Sequence, residues 1–130
     1  MEYILEREKT GSTPYVLIDE SKGYIKFEGE SYSENIIDFF DEISKWLTGY
    51  LESDFERLVF DCELKYFNSS TAKLLLNMIM EMDEAAEGRQ VIINWITTED
   101  DEINIECGED FKEDMENLTF NIVIKEEELL

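Results

Sequence analysis

Histidine is absent from the 130-residue chain, and its absence narrows the chemistry that the protein can perform. Histidine is the commonest general base in enzymes, the usual partner of a nucleophilic serine or cysteine, and a frequent zinc ligand. Hydrolases that depend on a histidine base, and most zinc enzymes, are therefore excluded. Catalysis by carboxylates, lysine or tyrosine remains open.

Basic residues are scarce: 11 Lys and Arg stand against 33 Asp and Glu, which gives a net charge of −22. A surface this acidic repels phosphate backbones and anionic lipid head groups. We therefore expect neither nucleic acid nor a membrane surface as a partner. The charge keeps a protein dissolved, and it can also steer the protein toward basic partners.

Long apolar runs are also missing. Residues 1–14 are rich in charge and contain no signal-peptide core, and the apolar stretch Leu74–Met80 is short and interrupted by Asn77. Cys62 and Cys107 belong to no CxxC pattern, so we expect reduced, buried thiols. These observations predict a cytoplasmic protein.

Size and composition predict one domain over residues 1–130, with flexible ends at 1–12 and 125–130. Hydrophobic residues make up 43% of the chain, which is enough for a core. The single proline, Pro14, and the lack of a Gly/Ser-rich linker give no sign of a second domain.

Hydrophobic periodicity predicts an α/β protein. In chain order we first expect strands at Tyr15–Asp19 and Tyr24–Glu28 around a turn at 20–23, and then a helix at Glu34–Leu51 that begins with a Ser31/Glu34 capping box. A strand within Phe55–Phe67 follows, and then a helix from Ser69 or Ser70 to Glu87 whose inward-facing residues are Ala72, Leu75, Leu76, Ile79, Met82 and Ala86. The last two strands are expected at Val91–Ile96 and Leu118–Ile124. A short acidic helix is favoured between the last two strands, and a strand at Ile103–Ile105 is the alternative. The order β-β-α-β-α-β-α-β predicts a mixed sheet with an N-terminal antiparallel hairpin and covering helices.

A hydroxyl cluster lies where the third of these strands ends and the second helix begins. Ser69, Ser70 and Thr71 are consecutive and follow Asn68. Asn and Ser are common at helix starts, so the cluster is also ordinary helix punctuation. The first turn of a helix nevertheless presents unpaired N–H groups and the positive end of the helix dipole, which can hold a phosphate. Phosphorylation there would add about −1.5 to −2 charges and would spoil a docking surface without refolding the domain.

The chain resembles the SiaC-like regulatory phosphoproteins of bacteria, small domains whose fold is similar to the STAS domains of anti-sigma-factor antagonists. The resemblance runs from about Thr13-Pro14 to Ile124. The segments that carry it are Ser12-Thr13-Pro14, Gly29-Glu30-Ser31-Tyr32-Ser33-Glu34-Asn35, Tyr66-Phe67-Asn68-Ser69-Ser70 and Gly108-Glu109-Asp110-Phe111.

The resemblance implies a non-enzymatic switch without a cofactor. In the family, the hydroxyl residue after the Asn is phosphorylated by a dedicated kinase and dephosphorylated by a PP2C-type phosphatase. The unphosphorylated form binds and activates a diguanylate cyclase, in cyclic-di-GMP and biofilm control.

Ser69 matches the family's phosphoacceptor, and Ser70 and Thr71 are the lesser alternatives. The family typically has Thr at that position. It usually reads Tyr-Pro-Glu-Asn where this chain has Tyr32-Ser33-Glu34-Asn35. We expect the partner-binding surface to comprise the residues of these two segments: Tyr32, Glu34, Asn35, Tyr66, Asn68, Ser69 and Ser70.

Two further hypotheses come from the acidic residues. Residues 99–118 hold ten acidic side chains against Lys112 alone, which suggests a carboxylate-dependent enzyme or a divalent-metal protein. The segment lacks oxygen ligands at the positions that an EF-hand centred on Gly108 would need, so a solvated helix face is the simpler interpretation. An acidic decoy for a nucleic-acid-binding protein is the other hypothesis.

Overall fold

The computed structural model describes residues 2–126. In chain order the elements are β1 (Ile4–Arg7), β2 (Tyr15–Asp19), a short 3-10 turn (Glu20–Lys22), β3 (Tyr24–Ser31), α1 (Ile36–Glu52), β4 (Arg57–Phe67), α2 (Ser69–Ala85), β5 (Gln90–Thr98), α3 (Glu102–Asp114) and β6 (Thr119–Lys125).

The strands form a six-stranded sheet in the order β1-β2-β3-β4-β5-β6. β1, β2 and β3 pair antiparallel, whereas β3 to β6 run parallel. Parallel neighbours need crossover connections, and right-handed crossovers that advance in one direction place their helices on the same face. The predicted mixed sheet with an N-terminal antiparallel hairpin and covering helices is confirmed, and β1 precedes the predicted elements.

Strand residues alternate between the face covered by the helices and the opposite, open face. The covered face and the helices share a core in which Phe27 of β3 contacts Phe40 of α1 and Phe60 of β4, with ring centroids 5.1 and 4.9 Å apart. Burying a side chain of this size contributes about 1.5–3 kcal/mol. This core fixes the strand ends from which the helices start.

The open face carries a line of hydrogen bonds across four strands. Tyr24 donates to Asp61 at 2.6 Å, Asn94 donates to the same carboxylate at 2.8 Å, and Asn121 donates to Asn94 at 3.1 Å. The polar side chains of this face thus bond to one another. Asp61 has a structural role in this line.

The turn between β2 and β3 lies where the sequence predicts it. Gly23 ends the turn with a left-handed backbone, at φ of 59°. A Cβ atom at this position would lie 2.3 Å from the carbonyl oxygen of Arg57. Glycine is therefore required both by the backbone and by the close approach of the neighbouring strand.

β1 lies within the segment 1–12, which the sequence predicts as a flexible end. Its residues pair with β2 in register from Ile4 opposite Asp19 to Arg7 opposite Val16. Tyr3 and Arg7 both bond the Glu42 carboxylate of α1. The other predicted flexible end is the segment 125–130. β6 extends to Lys125, and residues 127–130 lie outside the described residues.

The predicted capping box of Ser31 and Glu34 is wrong. A register shift after Gly29 lets β3 continue to Ser31, which pairs with Phe67 of β4. α1 therefore begins later, at Ile36, and its N-cap Asn35 makes no side-chain cap hydrogen bond. The Ser31 hydroxyl is buried and bonds to α2 instead.

The inward face of α2 is rotated relative to the prediction. Thr71 and Met78 are buried, whereas Ala72 and Leu76 are half-buried. The segment 101–115, which the sequence left open between helix and strand, contains α3. Its N-cap Asp101 accepts a hydrogen bond from the backbone N–H of Asn104.

Candidate functional site

The hydroxyl cluster lies at the first turn of α2, directly after β4. Asn68 is the N-cap, and its side-chain oxygen accepts a hydrogen bond of 3.0 Å from the backbone N–H of Thr71. The first intrahelical bond runs from Ala72 to Asn68, so the amides of Ser69 and Ser70 precede the helical ladder. Two backbone donors of the helix start are thus left for an anion.

The three hydroxyl residues of the cluster have different environments. Ser69 and Ser70 are exposed, whereas Thr71 is fully buried. The Thr71 hydroxyl donates to the carbonyl oxygen of Ser31 at 3.0 Å, and the two hydroxyl oxygens lie 2.9 Å apart. The backbone N–H of Asn68 also donates to the Ser31 carbonyl, at 3.1 Å. These contacts fasten the start of α2 to the end of β3 and leave two serines on the surface.

Two tyrosines stand beside the cluster. Tyr32 follows β3, and Tyr66 is the second-last residue of β4. Their rings contact edge to face, with centroids 5.6 Å apart, and they are 42% and 54% exposed. Exposed aromatic pairs of this kind supply area and a polar tip for binding another protein.

Glu34 and Asn35 lie with Tyr32 in the loop between β3 and α1, but they do not take part in the contacts described above. Both are exposed, and the backbone N–H of Asn35 donates to the Ser33 hydroxyl at 3.2 Å. Among the described residues, no hydrogen bond joins Glu34 or Asn35 to α2. The structure thus pairs Tyr32 with Tyr66, which lies shortly before the helix start that carries Asn68, Ser69 and Ser70.

Asn104 is a buried polar residue beside the strand ends whose role the sequence does not predict. Its side chain donates to the Leu64 carbonyl at 2.9 Å and to the Thr97 hydroxyl at 3.2 Å. The Trp95 indole N–H lies 3.0 Å from both oxygens of Asn104. These contacts fix the start of α3 to the ends of β4 and β5. An amide between Ile103 and Ile105 was the available signal, since a polar residue on a buried helix face needs partners.

The acidic segment 99–118 consists of α3 and its flanking loops. Within residues 2–126 no group of three or more His, Cys, Asp or Glu side chains could hold a metal ion. Burial raises the pKa of the Cys62 thiol and also that of Cys107, so neither is a thiolate at neutral pH. Cys62 is buried as predicted, whereas Cys107 is only half-buried.

No helix in the described part of the chain is long and apolar enough to span a membrane.

Fold and site together define a class: a mixed α/β domain with exposed hydroxyls at a helix start and exposed aromatic side chains beside them. A family model described as SiaC family regulatory phosphoprotein matches residues 7–125. The chain belongs to this family.

Individual relatives agree with the family assignment. A protein of Pseudomonas aeruginosa (strain UCBPP-PA14), itself uncharacterized, is 31% identical over 106 residues, which cover 81% of this chain and 84% of the relative. The structure of SiaC of Pseudomonas aeruginosa superposes with a TM-score of 0.83 at 28% identity, covering 96% and 99% of the two chains. A crystal structure of the diguanylate cyclase SiaD in complex with its activator SiaC, also from Pseudomonas aeruginosa, matches at a TM-score of 0.83 and 29% identity, over 95% and 99%.

Proposed function

We propose that the protein is a non-enzymatic switch that is reversibly phosphorylated on Ser69 and that, when unphosphorylated, binds and activates a diguanylate cyclase. A kinase adds the phosphate and a PP2C-type phosphatase removes it. The cytoplasm is the proposed place of action, and the two free thiols suit a reducing compartment. The proposal combines the family membership with the geometry at the start of α2.

The observation that supports the proposal most strongly is the difference in accessibility between the Ser69 and Thr71 hydroxyls. A kinase must reach the hydroxyl oxygen, and Ser69 is exposed whereas Thr71 is fully buried and bonded to Ser31. Ser70 is as accessible as Ser69, and Ser69 is preferred because it directly follows the N-cap Asn68, the position of the family's phosphoacceptor. Thr71 would have to break its buried hydrogen bonds before it could react.

A phosphate on Ser69 can switch binding while the domain stays folded. The exposed amides of the first turn and the positive end of the helix dipole stabilise the new anion locally. A partner that covers Tyr32 and Tyr66 would have to bury that dianion against apolar surface. Burying an unpaired charge costs several kcal/mol, and each 1.4 kcal/mol weakens affinity about tenfold. The bound state is therefore lost and the fold is kept.

The experiment measures cyclic-di-GMP synthesis by the purified diguanylate cyclases of the source organism with the chain added. Ser69→Ala is expected to activate its cyclase as the unmodified chain does, and Ser69→Asp to activate it much less. Ser21→Asp is the matched control, because Ser21 is an exposed serine in the turn between β2 and β3. The proposal fails if Ser69→Asp activates as well as Ser21→Asp does, or if no cyclase responds.

The acceptor itself is tested by treating the chain with the cognate kinase and locating the phosphate by peptide mass spectrometry. We expect one phosphate, on Ser69, and none after Ser69→Ala. The same Ser69→Ala sample reveals any labelling of Ser70. Labelling that persists in this variant would place the acceptor elsewhere.

A further inference from the structure

The segment around Ser69 is poor in negative charge. From Leu64 to Met80 the chain contains no Asp or Glu, although acidic residues account for 33 of its 130 residues. This acid-free segment is the longest in the chain, and its charged residues are Lys65 and Lys73. The end of β4 and most of α2 therefore form a locally basic region in a strongly acidic protein.

The start of α2 also differs from the starts of α1 and α3. The first turns of α1 and α3 contain Asp38 and Glu102, whereas the first turn of α2 contains no acidic residue. An acidic side chain is favourable in a first turn because it offsets the positive end of the helix dipole. In unmodified α2 this positive end has no such charge beside it, and a phosphate on Ser69 would supply one.

Lys73 lies one helical turn after Ser69. Residues four apart on a helix are neighbours, with Cβ atoms about 5–6 Å apart, and helical side chains lean toward the N-terminus of the helix. Both residues are exposed. A lysine side chain at position 73 can therefore reach a group attached to the Ser69 hydroxyl.

The Lys73 ammonium group has no carboxylate to compete for it. Ion pairs on a helix form between residues three or four apart, and the residues at this spacing from Lys73 are Ser69, Ser70, Leu76 and Asn77. No ion pair within residues 2–126 involves Lys73. By contrast, Lys45 of α1 pairs with Asp41 at 2.9 Å, four residues before it. The charge of Lys73 is thus available to an anion on Ser69.

We propose that Lys73 is the intramolecular partner of the phosphate on Ser69, and that its ammonium group forms an ion pair with the phosphate oxygens over the first turn of α2. The proposal rests on the proposed function and names the residue that holds its modified state. A nearby positive charge favours the more highly charged form of the phosphate. One lysine leaves the dianion with a net negative charge, so the phosphate still opposes the burial of this surface by a partner.

The experiment uses the full chain with phosphoserine incorporated at position 69 during synthesis, so it does not depend on any kinase. Phosphorus NMR titration measures the second pKa of the phosphate, which is about 6 for phosphoserine. Lys73→Met should raise this pKa by about 0.3, the change that corresponds to the loss of one i,i+4 ion pair. At high salt the effect should shrink, because exposed ion pairs are screened.

Lys112→Met is the matched control. Lys112 is also an exposed helical lysine without an ion pair among the described residues, but it lies in the last turn of α3, at the opposite end of the sheet. Its replacement should leave the phosphate pKa nearly unchanged, since exposed charges more than about 10 Å apart are largely screened. An equal pKa of the phosphate in the two lysine variants would overturn the proposal.

The other titratable and charged groups around this helix start are the same in both variants. They lie on the elements and loops next to α2 and include Glu30, Tyr32, Glu34, Asp38, Lys65, Tyr66 and Glu102. The carboxylates among them act to raise the pKa of the phosphate and Lys65 acts to lower it. Because these effects are common to the two variants, the difference between the variants measures the contact with Lys73.

The same samples distinguish this inference from the proposed function. If the cognate kinase phosphorylates Ser69 and partner binding is lost, yet the two lysine variants have equal phosphate pKa values, the contact with Lys73 is wrong and the switch stands. If Lys73→Met raises the pKa of the incorporated phosphoserine while the kinase leaves Ser69 unmodified, the acceptor assignment is wrong and the contact stands.

Discussion

The buried link between Thr71 and Ser31 gives a stability prediction that can be worked from single atoms. Thr71→Val keeps the side-chain shape but removes the hydroxyl that bonds to Ser31 at 2.9 and 3.0 Å. The Ser31 carbonyl keeps its bond from the Asn68 amide, whereas the buried Ser31 hydroxyl loses its partner. An orphaned buried polar group costs about 1–3 kcal/mol. We expect Thr71→Val to lower the free energy of unfolding by about 2 kcal/mol.

Urea unfolding followed by tryptophan fluorescence measures this loss. The double variant with Ser31→Ala should lose less than the sum of the two single variants, because it replaces both partners by apolar groups. Thr119→Val is the control, since Thr119 is exposed at the start of β6 and its side chain makes no hydrogen bond within residues 2–126, and its effect should stay within about 0.5 kcal/mol. A loss under about 0.5 kcal/mol for Thr71→Val, or strict additivity in the double variant, would refute the reasoning.

Two further predictions concern residues within the helices. Burial acts to raise the pKa of Asp83, but hydrogen bonds from the backbone N–H groups of residues 116–118 outweigh it and lower the pKa. The carboxylate therefore stabilises the fold above its unfolded pKa of about 3.9 and loses this effect as pH falls through the folded pKa. Asp83→Asn should cost about 1–2 kcal/mol at pH 7 and almost nothing at low pH in urea titrations; a pH-independent cost would contradict this. Gly108→Ala should lower the melting temperature because its Cβ would lie 2.6 Å from the Trp95 ring, whereas Gly49→Ala, with no atom within 4 Å, should raise it; equal shifts would refute the close packing.

Elements with a strong hydrophobic period could be predicted from the sequence. The helix predicted at Glu34–Leu51 is α1 at Ile36–Glu52, because its apolar stripe is continuous. β1 could not be predicted, because its four residues, two of them charged, do not alternate between apolar and polar side chains. This strand is held by backbone pairing with β2 and by contacts to α1, which a local pattern does not contain.

Contacts between distant residues explain the other errors. Ser31 is a good N-cap by residue type, but its pairing with Phe67 of β4 and its bond to the buried Thr71 hydroxyl assign it to the strand. The same contact buries Thr71, so the inward face of α2 is rotated relative to the face predicted from hydrophobicity. A hydrophobicity pattern would place a threonine on the exposed side of the helix. The role of Asn104 could not be predicted for a similar reason. Its partner Leu64 is 40 residues away along the chain, and its partner Thr97 is not an apolar residue. The position of Ser69 could be predicted, because a helix start is encoded locally.

The most direct test of the account is a calorimetric titration of the responding diguanylate cyclase with two forms of the chain, one unphosphorylated and one carrying a stoichiometric phosphate on Ser69. Both forms should unfold at similar urea concentrations, because Ser69 is exposed. We predict that the unphosphorylated chain binds and that the phosphate weakens binding about 100-fold or more, as expected for a dianion forced against an apolar surface. Equal affinity of the two forms would contradict the central claim.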